Sequence, residues 1–138
     1  YWKDYAGIMN IGQAAKASGV NAKLIRHYES IGIIPKASRS ESGYRKYSES
    51  DVYTLCFVKR ARTLGFSMKD IKKLVSLWRN RSRKSSDVKA LTLAHVRELE
   101  DKIQALQSIR NTLVDLALHC HGDDRPTCPI LEDFTKKK

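Results

Sequence analysis

The sequence lacks most of what would mark an enzyme, a secreted chain or a membrane protein. No stretch approaches the roughly 20 consecutive apolar residues that span a bilayer. The opening YWKDYAGIMNIGQAA has no apolar run ending in a small-residue cleavage site, so no secretory signal is visible. Both absences lead us to expect a cytoplasmic protein. Three cysteines, Cys56, Cys120 and Cys128, are no disulfide framework in a chain without such a signal, which turns attention to metal or redox chemistry. No Ser-His-Asp set, phosphate-binding glycine loop or histidine-rich metal pocket is present, so nothing supports a hydrolase, and we expect no enzyme. Low-complexity segments are absent, and glycine and proline number only 7 and 3 in 138 residues. Such a chain suffices for one domain, or for a small domain carrying a helical appendage.

Positive charge is abundant and unevenly placed. Of the net +11, residues 9–85 hold 17 Lys and Arg against 5 Asp and Glu, whereas residues 86–138 hold 8 against 9. A basic front and a near-neutral back suggest a nucleic-acid-binding part joined to a part with another task. A merely solvated cationic surface is the alternative reading of charge alone. Met9 precedes a well-patterned segment and reads as a natural start, leaving residues 1–8 as an upstream extension.

The front half has the pattern of a DNA reader. In NIGQAAKASGV, Ile11, Ala14 and Ala15 share one helical face, and Ser18-Gly19 is a compact stop. NAKLIRHYESIG follows with Asn21 as N-cap and an end before Gly32. Two short helices about a glycine turn spell helix-turn-helix. Leu24, Ile25 and Tyr28 fall on the inner side of the second helix, so Ala22, Lys23, Arg26 and His27 face outward, suited to a major groove. IIPKASRSESGYRKYSES then alternates as a short β-ribbon, or wing, with Arg39, Arg45 and Lys46 in reach of phosphates. Two further helices open on Ser48 with Asp51, and on Ser67 with Asp70, as capping boxes. Their apolar positions, Val52, Leu55, Cys56 and Val58, then Ile71, Leu74, Val75 and Trp78, supply a core. Cys56 lies on this stripe and reads as packing.

From Ser85 to Leu118 there is neither Gly nor Pro, which permits one helix of roughly 50 Å. Val96, Leu99, Ile103, Leu106, Leu113 and Ala117 follow alternating spacings of three and four, interrupted by Arg110, as in a coiled coil. So long a helix on so short a chain has little of its own protein to bury against, which favours a homodimer presenting two DNA readers to a pseudo-palindrome. Beyond it, CHGDDRPTC sets Cys120 and Cys128 eight positions apart. Taken alone, this spacing leaves disulfide, metal clamp and two unrelated buried thiols all open.

The succession of helix-turn-helix, wing RSESGYRKY, helix pair with RARTLGFSMKDIKKLV, long helix and terminal CHGDDRPTCPI resembles the MerR family of transcriptional regulators over Met9 to Phe134, and its end looks like the loop of the copper-responsive, CueR- or HmrR-like branch. The resemblance implies a mainly α chain. Residues 9–84 would form a winged helix-turn-helix DNA-binding domain, 85–118 a dimerisation helix pairing as an antiparallel coiled coil, and 119–138 a metal-binding loop and tail. It further implies a homodimer on double-stranded promoter DNA whose spacer is too long for RNA polymerase; the metal-bound form distorts that DNA into a usable shape, indirect readout used as a switch. Carried onto this sequence, the DNA contacts are Lys23, Arg26 and Tyr28 in the recognition helix and Arg39, Tyr44 and Arg45 in the wing.

With the family in view, Cys120 and Cys128 become metal ligands. Thiolates are soft and select Cu(I). Two without further donors suit a monovalent d¹⁰ ion, Cu(I) and also Ag(I) or Au(I), whereas zinc normally takes four ligands. His119 and His121 flank Cys120 but project in different directions, so we read them as peripheral. Gly122, Pro126, Asp123 and Asp124 read as loop formers. In the family, the residue opening the dimerisation helix is serine in sensors of monovalent ions and cysteine in sensors of divalent ones; here it is Ser85, which also suits an N-cap. An Fe-S sensor needs four clustered cysteines, and this tail has two. The expected function is therefore a Cu(I)-responsive activator of copper efflux or detoxification genes, with a divalent-metal sensor or a thiol-disulfide switch as the alternatives.

Overall fold

The computed structural model describes residues 8–39, 43 and 45–137, and for Ser38 and Arg39 the backbone alone. The chain divides into two compact units, residues 1–91 and 92–138.

The first unit opens with α1 (Ile11–Ser18) and α2 (Ala22–Ser30). Asn10 caps α1 in a capping box with Gln13, its side chain accepting from the Gln13 amide at 2.8 Å while Gln13 accepts from the Asn10 amide at 3.0 Å. The turn to α2 depends on Gly19, whose φ of +73° lies in the left-handed region that L side chains rarely occupy. Ser18 is buried beside it, donating to the Ala14 carbonyl at 2.7 Å and accepting from the Val20 amide at 3.2 Å, so the turn's polar groups are satisfied internally. Asn21 then caps α2 by accepting from the Leu24 amide at 2.8 Å.

Two-residue strands β1 (Ser38–Arg39) and β2 (Arg45–Lys46) pair antiparallel with Ser38 opposite Lys46, forming the base of the expected ribbon. Tyr47, just beyond β2, exchanges backbone hydrogen bonds with Met9 at 2.7 and 2.8 Å. Helices α3 (Glu49–Thr63) and α4 (Met68–Arg79) complete the unit. Ser48 and Asp51 form the full capping box of α3. At α4 only the forward bond, from the Asp70 amide to the Ser67 hydroxyl, is present among the described residues.

The apolar positions of these elements converge on one core in which Ile25, Tyr28, Val52, Leu55, Val58 and Ile71 are buried. Two residues depart from the expected pattern. Cys56 is half-buried at the edge, its thiol 3.9 Å from the Ser18 carbonyl, and Trp78 is 39% exposed. Trp78 lies flat against Phe57 with ring centroids 4.7 Å apart, a stacked lid rather than a core residue.

Helix α5 (Ser85–His119) runs unbroken for 35 residues. Ser85 is its first residue, so the cap position falls on Lys84 instead of the serine. The second unit holds most of α5, the loop that follows it and α6 (Pro129–Phe134). Along α5, Val96, Leu99, Ile103, Leu106 and Leu113 are exposed, as are Ile109 and Val114. A seam of large apolar side chains is thus unburied within the single chain. No helix among the described residues is long and apolar enough to cross a membrane.

Candidate DNA-binding face and metal loop

The outward surface of α2 is cationic. Lys23, Arg26 and His27 are exposed, while Ala22, expected beside them, is half-buried. Tyr28 is only 2% exposed. Its ring belongs to the core and its hydroxyl accepts a hydrogen bond from the Arg62 guanidinium at 2.7 Å. Arg62 itself is exposed. With Lys59, one turn earlier on α3, it borders a pocket of about 420 Å³ whose opposite wall is Gly19, Asn21 and Leu24 at the start of α2. The first amides of a helix have no intrahelical acceptor and carry the positive end of the helix dipole. Two cations beside such an end form a surface suited to phosphate. Neither Lys59 nor Arg62 stands out in the sequence, because only the packing of α3 across α1 and α2 brings them there.

On the ribbon, Arg45 is half-buried, and its positive charge acts on the Tyr47 hydroxyl to lower its pKa slightly. That hydroxyl donates to the Glu29 carboxylate at the end of α2. Burial, and then the bond to Glu29, push the Tyr47 pKa up to about 12. Arg39 lies on β1 with its side chain among the undescribed atoms, and Tyr44 lies outside the described residues.

At the other end of the chain, Cys120 directly follows α5 and Cys128 occupies the cap position of α6. Both are free thiols, half-buried, with sulfurs 3.5 Å apart, well beyond the roughly 2.05 Å of a disulfide bond. The amide of Leu131 above all, then the neighbouring Cys120 thiol and the amide of Ile130, hold the Cys128 pKa below the ordinary thiol value. The loop between them turns at Gly122, φ +64°. It is braced by Asp123, which accepts from the Arg125 amide at 2.9 Å and from its guanidinium at 2.7 and 2.8 Å. Arg125 in turn holds the Asp123 carboxyl below its usual pKa. His119 turns back along α5, its Nδ1 2.7 Å from the Asp115 carbonyl and 3.6 Å from that carboxylate, and His121 is exposed. Among the described residues no group of three or more His, Cys, Asp or Glu is gathered around one point. The two sulfurs that stand together are soft donors that could hold a thiophilic ion. Ser85 is exposed at the start of α5.

A family pattern described as MerR HTH family regulatory protein matches residues 9–77, and a second, described as MerR, DNA binding, matches residues 52–116. The chain belongs to the MerR family. Within it, the chain is 62% identical over 126 residues to heavy metal-dependent transcription regulator 2 of Rhizobium meliloti (strain 1021), covering 91% of this chain and 86% of that one. It is 42% identical over 127 residues to the HTH-type transcriptional regulator CueR of Escherichia coli O6:H1, covering 92% and 94%. Among solved structures, the transcription regulator PbrR691 of Ralstonia metallidurans CH34 in complex with lead(II) superposes with a TM-score of 0.81 at 29% identity, covering 91% of this chain and 98% of that one. This MerR-family chain is therefore a transcriptional regulator with a helix-turn-helix DNA-binding domain and a long C-terminal helix.

Proposed function

We propose that the protein binds promoter DNA as a homodimer and activates copper efflux or detoxification genes when Cu(I), or its congeners Ag(I) and Au(I), is held between Cys120 and Cys128. The observation that carries this reading is the pair of free sulfurs 3.5 Å apart, with no third such donor gathered beside them among the described residues. When bound, such an ion supplies soft Lewis-acid bonds that tie the end of α5 to the start of α6. The Asp123–Arg125 brace and the turn at Gly122 keep the loop folded around the two thiols, and Ser85 supplies no further sulfur to the partner's loop. On the DNA side, Lys23 and Arg26 enter the groove from α2. Arg39, Tyr44 and Arg45 hold the backbone from the wing, and Lys59 and Arg62 hold it beside the first turn of α2. Tyr28 serves from within, orienting Arg62. The exposed seam of α5 finds its cover in a second copy, which places two readers on one face of the duplex. RNA polymerase then uses a promoter whose spacer the metal-bound dimer has distorted.

Transcription from the bound promoter, measured with Cu(I), Ag(I) and Zn(II), tests the reading. Cu(I) and Ag(I) should raise it and Zn(II) should not, and Cys120→Ser or Cys128→Ser should abolish the response while DNA binding survives. Loss of DNA binding in either serine variant would sink the idea of a separate effector site. A divalent-metal sensor is the second reading, favoured by the likeness to a regulator crystallised with lead(II); a response to Zn(II) or Pb(II) equal to that for Cu(I) would establish it instead. A thiol-disulfide switch would be revealed by a persistent Cys120–Cys128 bridge in mass spectra of protein from an unstressed, reducing cytoplasm.

A further inference from the structure

The ribbon is too small to fix its own position. Among the described residues each strand has two residues and β1 and β2 are joined by two register pairs, and an isolated two-stranded ribbon is marginal in water. Its direction must be set at its roots. One root is Ala37, just before β1; the other is Tyr47, just after β2. Both converge on Glu29 in the last turn of α2. One carboxylate oxygen accepts from the Tyr47 hydroxyl, and the other faces the Ala37 amide at 3.4 Å. The first bond is the stronger, since the second is at the long limit of hydrogen bonding. Tyr47 is itself immobilised, being 1% exposed and bonded to Met9 in both directions along the backbone. Arg45 lies on β2, two residues before Tyr47, so fixing Tyr47 fixes the strand that carries the wing cation.

We infer that Glu29 is a positioning residue for DNA binding: it latches both roots of the wing to the recognition helix, so that Arg45 and α2 meet the DNA backbone as one rigid surface. The inference rests on the proposed DNA-binding reading of α2 and the wing. Glu29 contacts no base, and its loss would loosen the register between two sets of phosphate contacts while leaving the base-reading face of α2 in place. The signature is therefore a reduced salt dependence of binding, since each phosphate contact contributes about 0.9 to the slope of log K against log salt.

The test measures affinity and salt slope of the full-length protein on a duplex carrying its promoter, for Glu29→Ala, Glu29→Gln, Tyr47→Phe, the double variant Glu29→Ala/Tyr47→Phe, and Arg45→Ala. We expect Glu29→Ala and Tyr47→Phe each to weaken binding about tenfold and to lower the slope by about one per protomer. The double variant should be no worse than either alone. Glu29→Gln, whose amide oxygen still accepts from Tyr47, should recover most of the loss. Tyr47→Phe keeps the buried ring, so it reports on the latch even where Glu29→Ala fails to fold. Weakened binding with an unchanged slope would indicate general destabilisation and overturn the latch. So would a slope lowered by Arg45→Ala but not by Glu29→Ala or Tyr47→Phe, and in that case the wing would stand as a DNA contact. If Arg45→Ala changes neither affinity nor slope, the wing reading falls, and the latch falls with it.

Discussion

Tyr28 is the position where a core role and a DNA-binding role compete, and two substitutions separate them. Tyr28→Ala removes a ring that is 2% exposed and leaves a cavity in the buried core cluster to which it belongs. The cost for aromatic-to-alanine changes at such sites is about 3–5 kcal/mol. Tyr28→Phe keeps the ring and removes only the acceptor of the 2.7 Å bond from Arg62. Because Arg62 is exposed and water can replace the lost partner, that change should cost no more than about 0.5–1 kcal/mol. Its effect on DNA should be similarly small, about two- to fivefold in affinity, the loss expected from freeing Arg62 to explore several rotamers. Urea unfolding at one fixed protein concentration gives the stabilities, a necessary precaution for a dimer. Filter binding at two salt concentrations gives the affinities. A Tyr28→Phe variant of undiminished stability that lost DNA affinity a hundredfold would refute the reasoning, because it would put the hydroxyl on DNA itself. A Tyr28→Ala variant destabilised by less than about 1 kcal/mol would refute the burial argument.

Other perturbations follow from the same geometry. Gly19→Ala forces an L residue to φ +73° and sets its Cβ 2.5 Å from the Lys59 ammonium; a loss of about 1 kcal/mol, read by thermal unfolding, is expected, and an unchanged Tm would show that the turn relaxes freely. Leu106→Glu, at a seam position 65% exposed in the single chain, should raise the dimer dissociation constant by a hundredfold or more, because the charge would be buried unpaired between helices. Sedimentation equilibrium identical to that of the unaltered protein would remove α5 as the interface. For Tyr47 the folded pKa of about 12 exceeds the unfolded value of about 10. The folded chain holds a proton that the unfolded chain releases, so its contribution is complete below pH 10 and is lost as pH rises towards 12. The drop is about 2.7 kcal/mol; followed by denaturant unfolding in alkali, it should be absent from Tyr47→Phe, so that the stability difference between this chain and the variant shifts by that amount.

Local rules carried much of the fold. Ser18-Gly19, Asn21 and the Ser48–Asp51 pair each act within a few residues of themselves, so their consequences are legible along the chain, and α1, α2 and α3 begin or end where those residues stand. The Asn10–Gln13 box obeys the same rule and was open to the same reading. What escaped involves partners distant in sequence. Arg62 meets Tyr28 across 34 positions and Tyr47 meets Glu29 across 18. Nothing in the spacing of α3 distinguishes Arg62 from Arg60, and Glu29 carries no mark beyond being an acid at the end of a basic helix. Trp78 shows the opposite error, since its periodicity assigned it to the core while its stacking on Phe57 leaves one face in water. In the candidate metal loop, the nearness of Cys120 and Cys128 was legible because a short braced turn separates them, and short loops bring their ends together at little entropic cost.

That shortness bears on how the site can signal. A loop that must be gathered from a disordered state spends ligand binding energy on ordering, and little remains to shift anything beyond it. Here the sulfurs already stand 3.5 Å apart, Gly122 has made its turn, and Asp123 and Arg125 have closed their brace. At the two attachments Cys120 leaves a helix of 35 residues and Cys128 enters one of six. A bond across the two thiols, as proposed, would therefore constrain the angle between a long element and a short one more than it would constrain the loop. The short one, α6, carries Leu131 and Phe134 largely exposed, so any change in its direction moves apolar surface relative to α5. An effector can shift an equilibrium only by its differential affinity for the two states. If Cys120 and Cys128 hold the effector as proposed, the preformed turn would leave most of that difference for the placement of α6.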